Sequence, residues 1–228
     1  ILVELSLGET MIMHLGMSGR VLIHQDKAQN GHKNFHFKQP SIKKHDHVIF
    51  DFEEGTRVVY NDPRRFGAID VCRSTELGTH KMISNLGIEP LSNQFNAEFL
   101  FEKFKGSKTT IKAALLNQRH VCGLGNIYVC EALWRSGISP LKLAGKIKKT
   151  KIELLTVVIR EVLLEAIASG GSSLKDFKNT EGTLGYFQHN FNVYDREGNS
   201  CKTEECNKKI KKIVQAGRST FFCNNCQI

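Results

Sequence analysis

The chain has 228 residues, 40% hydrophobic and 24% charged, enough to bury one or two cores and too balanced for a disordered chain. Lys and Arg outnumber Asp and Glu by 32 to 23, a formal net charge of +9 that favours polyanionic partners, because each neutralised phosphate releases counterions. No apolar run approaches a bilayer span, and Ile1 to Met13 is interrupted by Glu4, Ser6 and Glu9, which reads as a strand rather than a signal peptide. A cytoplasmic protein is expected.

The first third predicts β structure. Ile1 to Leu7 and Thr10 to Leu15 are strand-like runs around a Gly8-Glu9 turn, and a polar stretch without periodicity follows from Gln25 to Lys44. Two further strands are expected over His47 to Phe52 and Arg57 to Tyr60, either side of Glu54-Gly55, and another over Phe66 to Val71. From Asn96 the pattern turns helical. Ala97 to Lys105 and Thr110 to Gln118 are candidate helices, and Asn126 is a candidate N-cap for a third that reaches Arg135 and stops at Gly137 and Pro140. A long helix runs from Thr150 to Ser169, with Thr150 and Glu153 as a capping box, Ile152, Leu155, Ile159, Val162 and Ala166 on one face, and Gly170 as its stop.

Of seven cysteines, Cys72, Cys122 and Cys130 are scattered in apolar surroundings and read as small buried residues. The other four form Cys201-x4-Cys206-x16-Cys223-x2-Cys226, two short-spaced pairs that can close a tetrahedral zinc site. Between them Ile210, Ile213 and Val214 suggest a strand, Ala216-Gly217 a turn, and Thr220 to Phe222 the return. The expected product is a zinc ribbon that depends on its metal to fold.

Three further segments admit a binding reading beside a structural one. Arg218 and the run Lys208, Lys209, Lys211, Lys212 make the ribbon basic, either to contact phosphate or as a solvated face. Gly123-Leu124-Gly125-Asn126 is either an interhelix turn or a phosphate cradle at a helix start. Asn61-Asp62-Pro63-Arg64-Arg65-Phe66-Gly67 either displays its arginines and ring to a base stack or tucks Phe66 into the core, and Met17 poses the same choice.

Ordered motifs then supply a resemblance. His14-Leu-Gly-Met-Ser-Gly19, Lys44-His-Asp-His-Val48, Asp62-Pro-Arg-Arg-Phe-Gly67, Leu86-Gly-Ile-Glu-Pro-Leu91, Gly123-Leu-Gly-Asn-Ile-Tyr-Val129, Gly170-Gly-Ser-Ser-Leu174, Gly185-Tyr-Phe187 and the cysteine segment occur in sequence. Across essentially its whole length the chain resembles the formamidopyrimidine-DNA glycosylases. The resemblance implies an α+β architecture. Residues 1–92 would be the remainder of an N-terminal β-sandwich, 93–190 a helix–two-turn–helix domain and 191–228 a zinc finger holding one structural zinc. It implies excision of oxidised purines such as 8-oxoguanine and formamidopyrimidines, with β,δ-elimination at the abasic site. The implied partner is duplex DNA carrying such lesions or abasic sites; the protein would be a monomer associated with the bacterial nucleoid.

Carried over by position, Met17, Arg64 and Phe66 match the family's wedge, which fills the gap left by an everted base. His45, Arg64, Lys112, Asn126 and Lys108 match DNA-contacting positions or lie beside them. Arg218 matches the zinc-finger arginine at the lesion phosphates, counted with the catalytic set, and Gly182, Gly185 and Tyr186 fall in the loop over the flipped purine. The sequence departs from the family in three places. The first cysteine pair is spaced x4 rather than x2, and Ser107 stands where a linker lysine is usual, with Lys105 and Lys108 nearby. Family enzymes also begin Pro-Glu-Leu-Pro-Glu, whose proline amine attacks C1′, and aligning Glu4-Leu5 with them puts the hairpin lysine about two residues upstream of Ile1. Full-length activity is therefore expected to need residues beyond these 228, which by themselves would bind without cutting. The rival readings are a DNA-binding remnant and a zinc-ribbon protein that binds RNA or protein; the last leaves the first-half motifs unexplained.

Overall fold

The computed structural model describes residues 1–25, 43–171 and 186–228. They fall into two compact units, Ile1–His80 with Ser169–Gln188, and Lys81–Ala168 with His189–Ile228.

The first unit holds two three-stranded antiparallel sheets, the layers of the expected sandwich. One orders β1 (Leu2–Glu4), β2 (Glu9–His14) and β6 (Ala68–Arg73) with β2 in the middle. The other orders β3 (Arg20–Gln25), β5 (Thr56–Asn61) and β4 (Asp46–Asp51) with β5 in the middle. The central strands supply the core, Thr10, Ile12 and Met13 from β2, and Val59, Tyr60 and Asn61 from β5. β3 was not legible in the sequence. Only Val21, Leu22 and Ile23 are apolar in it, and its place comes from pairing along the whole of β5, from Arg20 opposite Asn61 to Gln25 opposite Thr56. β6 begins at Ala68, two positions later than the pattern suggested, and leaves Phe66 outside the strand and exposed.

The second unit is helical with a terminal hairpin. α1 (Ala97–Phe104) is capped by Asn96, whose Oδ1 accepts from Phe99 N at 2.9 Å, and buries Leu100 and Phe104. α2 (Ile111–Leu116) is capped by Thr110. α3 (Asn126–Arg135) stops at Ser136, where Gly137 takes φ 63. α4 (Lys149–Ala168) buries the expected face of Ile152, Leu155, Ile159, Val162 and Ala166 and packs on α1 and α3. Arg135 donates to both carboxylate oxygens of Glu165 at 2.7 Å, joining α3 to α4. Two expected caps are corrected. α4 begins at Lys149, so Thr150 lies inside its first turn and the Thr150–Glu153 box does not start the helix. Gly125 is the N-cap of α3, and Asn126 is its first helical residue, its side chain engaged elsewhere.

β7 (Lys211–Gln215) and β8 (Arg218–Phe222) form the hairpin, turning through Ala216 at φ 47 and Gly217 at φ 71. Two consecutive positive φ values match the right-handed twist of the strands, and glycine takes the second without strain. No helix among the described residues is long and apolar enough to cross a membrane.

Candidate nucleic-acid interface and metal centre

In the first unit, Asp62 organises the exposed tip. It is 1% exposed and accepts from Ser18 Oγ at 2.6 Å, Gly67 N at 2.8 Å and Tyr60 Oη at 3.2 Å. Ser18 Oγ in turn accepts from Arg64 N at 3.1 Å. Burial alone would raise the carboxyl's pKa, but the donors from Ser18, Gly67, Tyr60 and Arg64 outweigh it and hold Asp62 at about 2. One buried anion thus joins the Leu15–Gly19 turn to the Pro63–Gly67 turn. Glycine is required where they meet: a Cβ on Gly16 would lie 2.8 Å from the Phe66 carbonyl carbon.

Above that anchor stand the three expected wedge residues. Met17 is 73% and Phe66 59% exposed, which decides both open readings against a core role. The Arg64 guanidinium lies 5.0 Å from the Phe66 ring centroid, and its Nη1 is 3.8 Å from the Met17 sulfur. Arg65 takes φ 56 between them, a left-handed conformation uncommon outside glycine. His45 is half-buried beside the same anchor, its carbonyl accepting from Asp62 N at 3.0 Å.

The second unit gathers a second set. Gly123 N donates to Gln118 Oε1 at 2.8 Å, and Gln118 Nε2 donates to the Leu124 carbonyl at 3.2 Å, so Gln118 fixes the glycine turn ahead of α3. Asn126 Nδ2 donates to the Ser219 carbonyl at 2.9 Å, and its Oδ1 is buried without a partner among the described residues. Lys112 meets the same stretch of β8: its Nζ donates to Ser219 O at 2.9 Å and to Thr220 Oγ1 at 2.6 Å. Lys112, expected at a DNA-contacting position, is 1% exposed, and its ammonium is engaged with the hairpin. Burial lowers its pKa; Cys130 opposes that shift and Arg218 adds to it. Arg218 itself is exposed at the start of β8, and Lys108 is exposed ahead of α2. Tyr186 is 67% exposed, whereas Gly182 and Gly185 lie outside the described residues.

The four C-terminal sulfurs all lie within 4.8 Å of one another, Cys201 to Cys226 at 3.8 Å and Cys206 to Cys223 at 3.7 Å. A tetrahedron with Zn–S bonds of about 2.3 Å has edges of about 3.8 Å, so the donor set fits zinc as it stands. The longer x4 knuckle is accommodated by Glu205 at φ 60. Cys130 is buried as expected, while Cys72 and Cys122 are only half-buried.

Sequence reasoning missed Glu131. It is fully buried on α3, and its carboxylate accepts from the backbone N–H groups of Asn192, Val193 and Tyr194 and from Asn192 Nδ2, all at 2.9–3.0 Å. Tyr194 then packs on Phe221 with ring centroids 4.9 Å apart. A lone acid among Val129, Cys130, Ala132 and Leu133 was the available signal, because a charge on an apolar face must find donors.

Residues 1–69 match the family model of the formamidopyrimidine-DNA glycosylase N-terminal domain, and 86–178 match that of its H2TH domain. Residues 204–228 match a zinc finger found in FPG and IleRS, which with the four-cysteine cluster makes the C-terminal segment a structural zinc site for one ion. The chain is 55% identical over 227 residues to the formamidopyrimidine-DNA glycosylase of Dinoroseobacter shibae and 52% identical to that of Roseobacter denitrificans, in each case spanning 100% of this chain and 79% of the relative. Among solved structures it is similar to the MutM (FPG) protein of Thermus thermophilus, at TM-score 0.83 and 34% identity over 99% of this chain and 78% of that one. It is also similar to the Lactococcus lactis Fpg in complex with DNA containing an abasic site, at TM-score 0.80 and 33% identity over 96% and 75%.

Proposed function

The chain belongs to the formamidopyrimidine-DNA glycosylase family, and on that premise we propose that it serves DNA repair by excising oxidised purines, 8-oxoguanine and formamidopyrimidines, from duplex DNA. The observation that carries the reading is the Met17–Arg64–Phe66 tip. Two large apolar side chains stand in solvent beside a guanidinium, on turns anchored by a buried carboxylate. Exposure of that kind is unfavourable unless the side chains enter an apolar environment, and a base stack vacated by a flipped nucleotide is one.

Each remaining group has a role its position supports. Met17 and Phe66 fill the vacated stack, and Arg64 donates to the opposite base or its backbone. His45, Lys108 and Arg218 contact phosphates, Arg218 at the lesion. Asn126 and Lys112 hold β8 at Ser219 and Thr220 so that Arg218 is presented at the start of that strand. Asn126, at the head of α3, also offers the second N–H of its amide to a phosphate. Gly182, Gly185 and Tyr186 cover the flipped base. Residues 1–92, 93–190 and 191–228 serve as sandwich, helical and zinc modules of a monomer that works in the cytoplasm on nucleoid DNA.

Bond breaking in this scheme is Schiff-base attack on C1′ by an N-terminal proline amine, followed by β,δ-elimination. Neither a Pro-Glu-Leu-Pro-Glu run nor the matched hairpin lysine occurs among the 228 residues, so this span by itself supplies recognition without the nucleophile. The second reading is a lesion-binding module. Borohydride trapping on an 8-oxoguanine duplex separates the two. The span alone should give no covalent adduct, and joining it to a Pro-Glu-Leu-Pro-Glu segment with the hairpin lysine should give one; trapping by the span alone would overturn the assignment of the nucleophile.

A further inference from the structure

Trp134 is the chain's single tryptophan, and it lies in the last turn of α3. Its ring packs against the cluster of Cys130, Val193, Cys201, Ile210, Phe221 and Cys223, the core beneath the metal centre. Its Nε1 is buried and completes no hydrogen bond among the described residues. Cys201, a buried member of that cluster, is one of the four cysteines whose sulfurs meet at the metal site. A buried N–H without an acceptor is unfavourable, and a protonated thiol is a poor one. A metal-bound thiolate is different: it carries negative charge and accepts strongly.

We propose that Trp134 is a positioning residue of the zinc centre, its indole N–H donating to the Cys201 thiolate once the four cysteines hold the metal. Two features make this more than ring packing. The donor is orphaned against a cluster that contains a metal-ligating cysteine, and a metal-bound thiolate is a strong acceptor. The same helix also begins at Asn126, which holds Ser219 in β8, and carries Glu131, which holds Asn192 to Tyr194. An N–H···S bond at Trp134 would therefore give α3 a third attachment to the zinc module, this one made directly to a ligand. Groups that hydrogen-bond metal ligands hold them in geometry, and their loss weakens metal retention.

The test uses the zinc-loaded chain labelled with 15N, in which one indole N–H resonance exists. It should lie downfield of free indole and be protected from exchange with solvent. With 113Cd in place of zinc it should show coupling to the metal through the sulfur. Trp134→Phe keeps an aromatic ring and deletes the donor, and it should release zinc to a chromogenic chelator about 10–100-fold faster. An indole resonance at the free position and in exchange with water would overturn the proposal, and so would a Trp134→Phe chain that releases zinc at the unmodified rate. The resonance measurement stands even where the variant fails to fold.

Discussion

Replacing Asp62 with asparagine should unfasten the exposed tip, and its cost can be worked from the anchor. The carboxylate accepts on both oxygens, from Ser18 on one and from Tyr60 and Gly67 on the other. Asparagine offers one acceptor oxygen, so its amide must face a donor that then goes unpaired. Holding the carboxyl from its ordinary 3.8 down to about 2 corresponds to roughly 2 kcal/mol of folding stability at neutral pH. Because the folded pKa is depressed, this contribution is complete above about pH 4 and is lost as pH falls through about 2. Asp62→Asn should therefore lower stability by about 2–3 kcal/mol near pH 7, from the lost charge and the stranded donor together. Urea unfolding followed by far-UV circular dichroism at stepped pH reads the difference between the two proteins. The gap should narrow between about pH 4 and pH 2, since only the unmodified chain loses the charge there. A gap that stays constant over that range, or no gap at pH 7, would refute the role assigned to the buried anion.

Three other outcomes follow from the geometry. Lys112→Met should strand Ser219 O and Thr220 Oγ1 and cost about 1–3 kcal/mol by denaturant unfolding, and a stability unchanged from the parent chain would contradict its role in holding β8. Cys206→Ser should lower zinc content below one ion per chain by metal analysis, since a structural site needs all four thiolates; full occupancy would contradict the ligand set. Binding to duplex DNA should weaken steeply with salt, and Arg218→Ala should reduce the slope of log K against log salt by about one; an unchanged slope would remove Arg218 from the phosphate contacts.

Much of this was legible in the residues because local signals agreed with the fold. The cysteine spacing, the Ala216-Gly217 turn and the apolar face of α4 each specify a local geometry, and each stands as read. What escaped depends on partners distant in sequence. β3 is a strand because β5 pairs with it, although its own residues are half polar. Nothing near Lys112 in the sequence points to β8, more than a hundred positions on, which supplies a carbonyl and a hydroxyl for its ammonium. The motif around Asp62 drew attention to its arginines and ring, but the anchoring anion was its buried member, with Ser18 among its donors. Thr150 was misplaced by one turn position because Lys149, an equally good helix former, extends α4 ahead of it.

The central claim is that Met17, Arg64 and Phe66 form a wedge for the space left by a displaced base. The most direct measurement is competition anisotropy of the 228-residue chain, with a duplex containing a stable abasic-site analogue set against the same duplex undamaged. Preference for the damaged duplex should be about tenfold or more, because a missing base removes an unstacking cost of a few kcal/mol. Met17→Ala combined with Phe66→Ala should erase that preference and leave affinity for undamaged DNA within about twofold, since phosphate contacts dominate the latter. Equal affinity for the two duplexes, or a preference that survives the double substitution, would contradict the wedge.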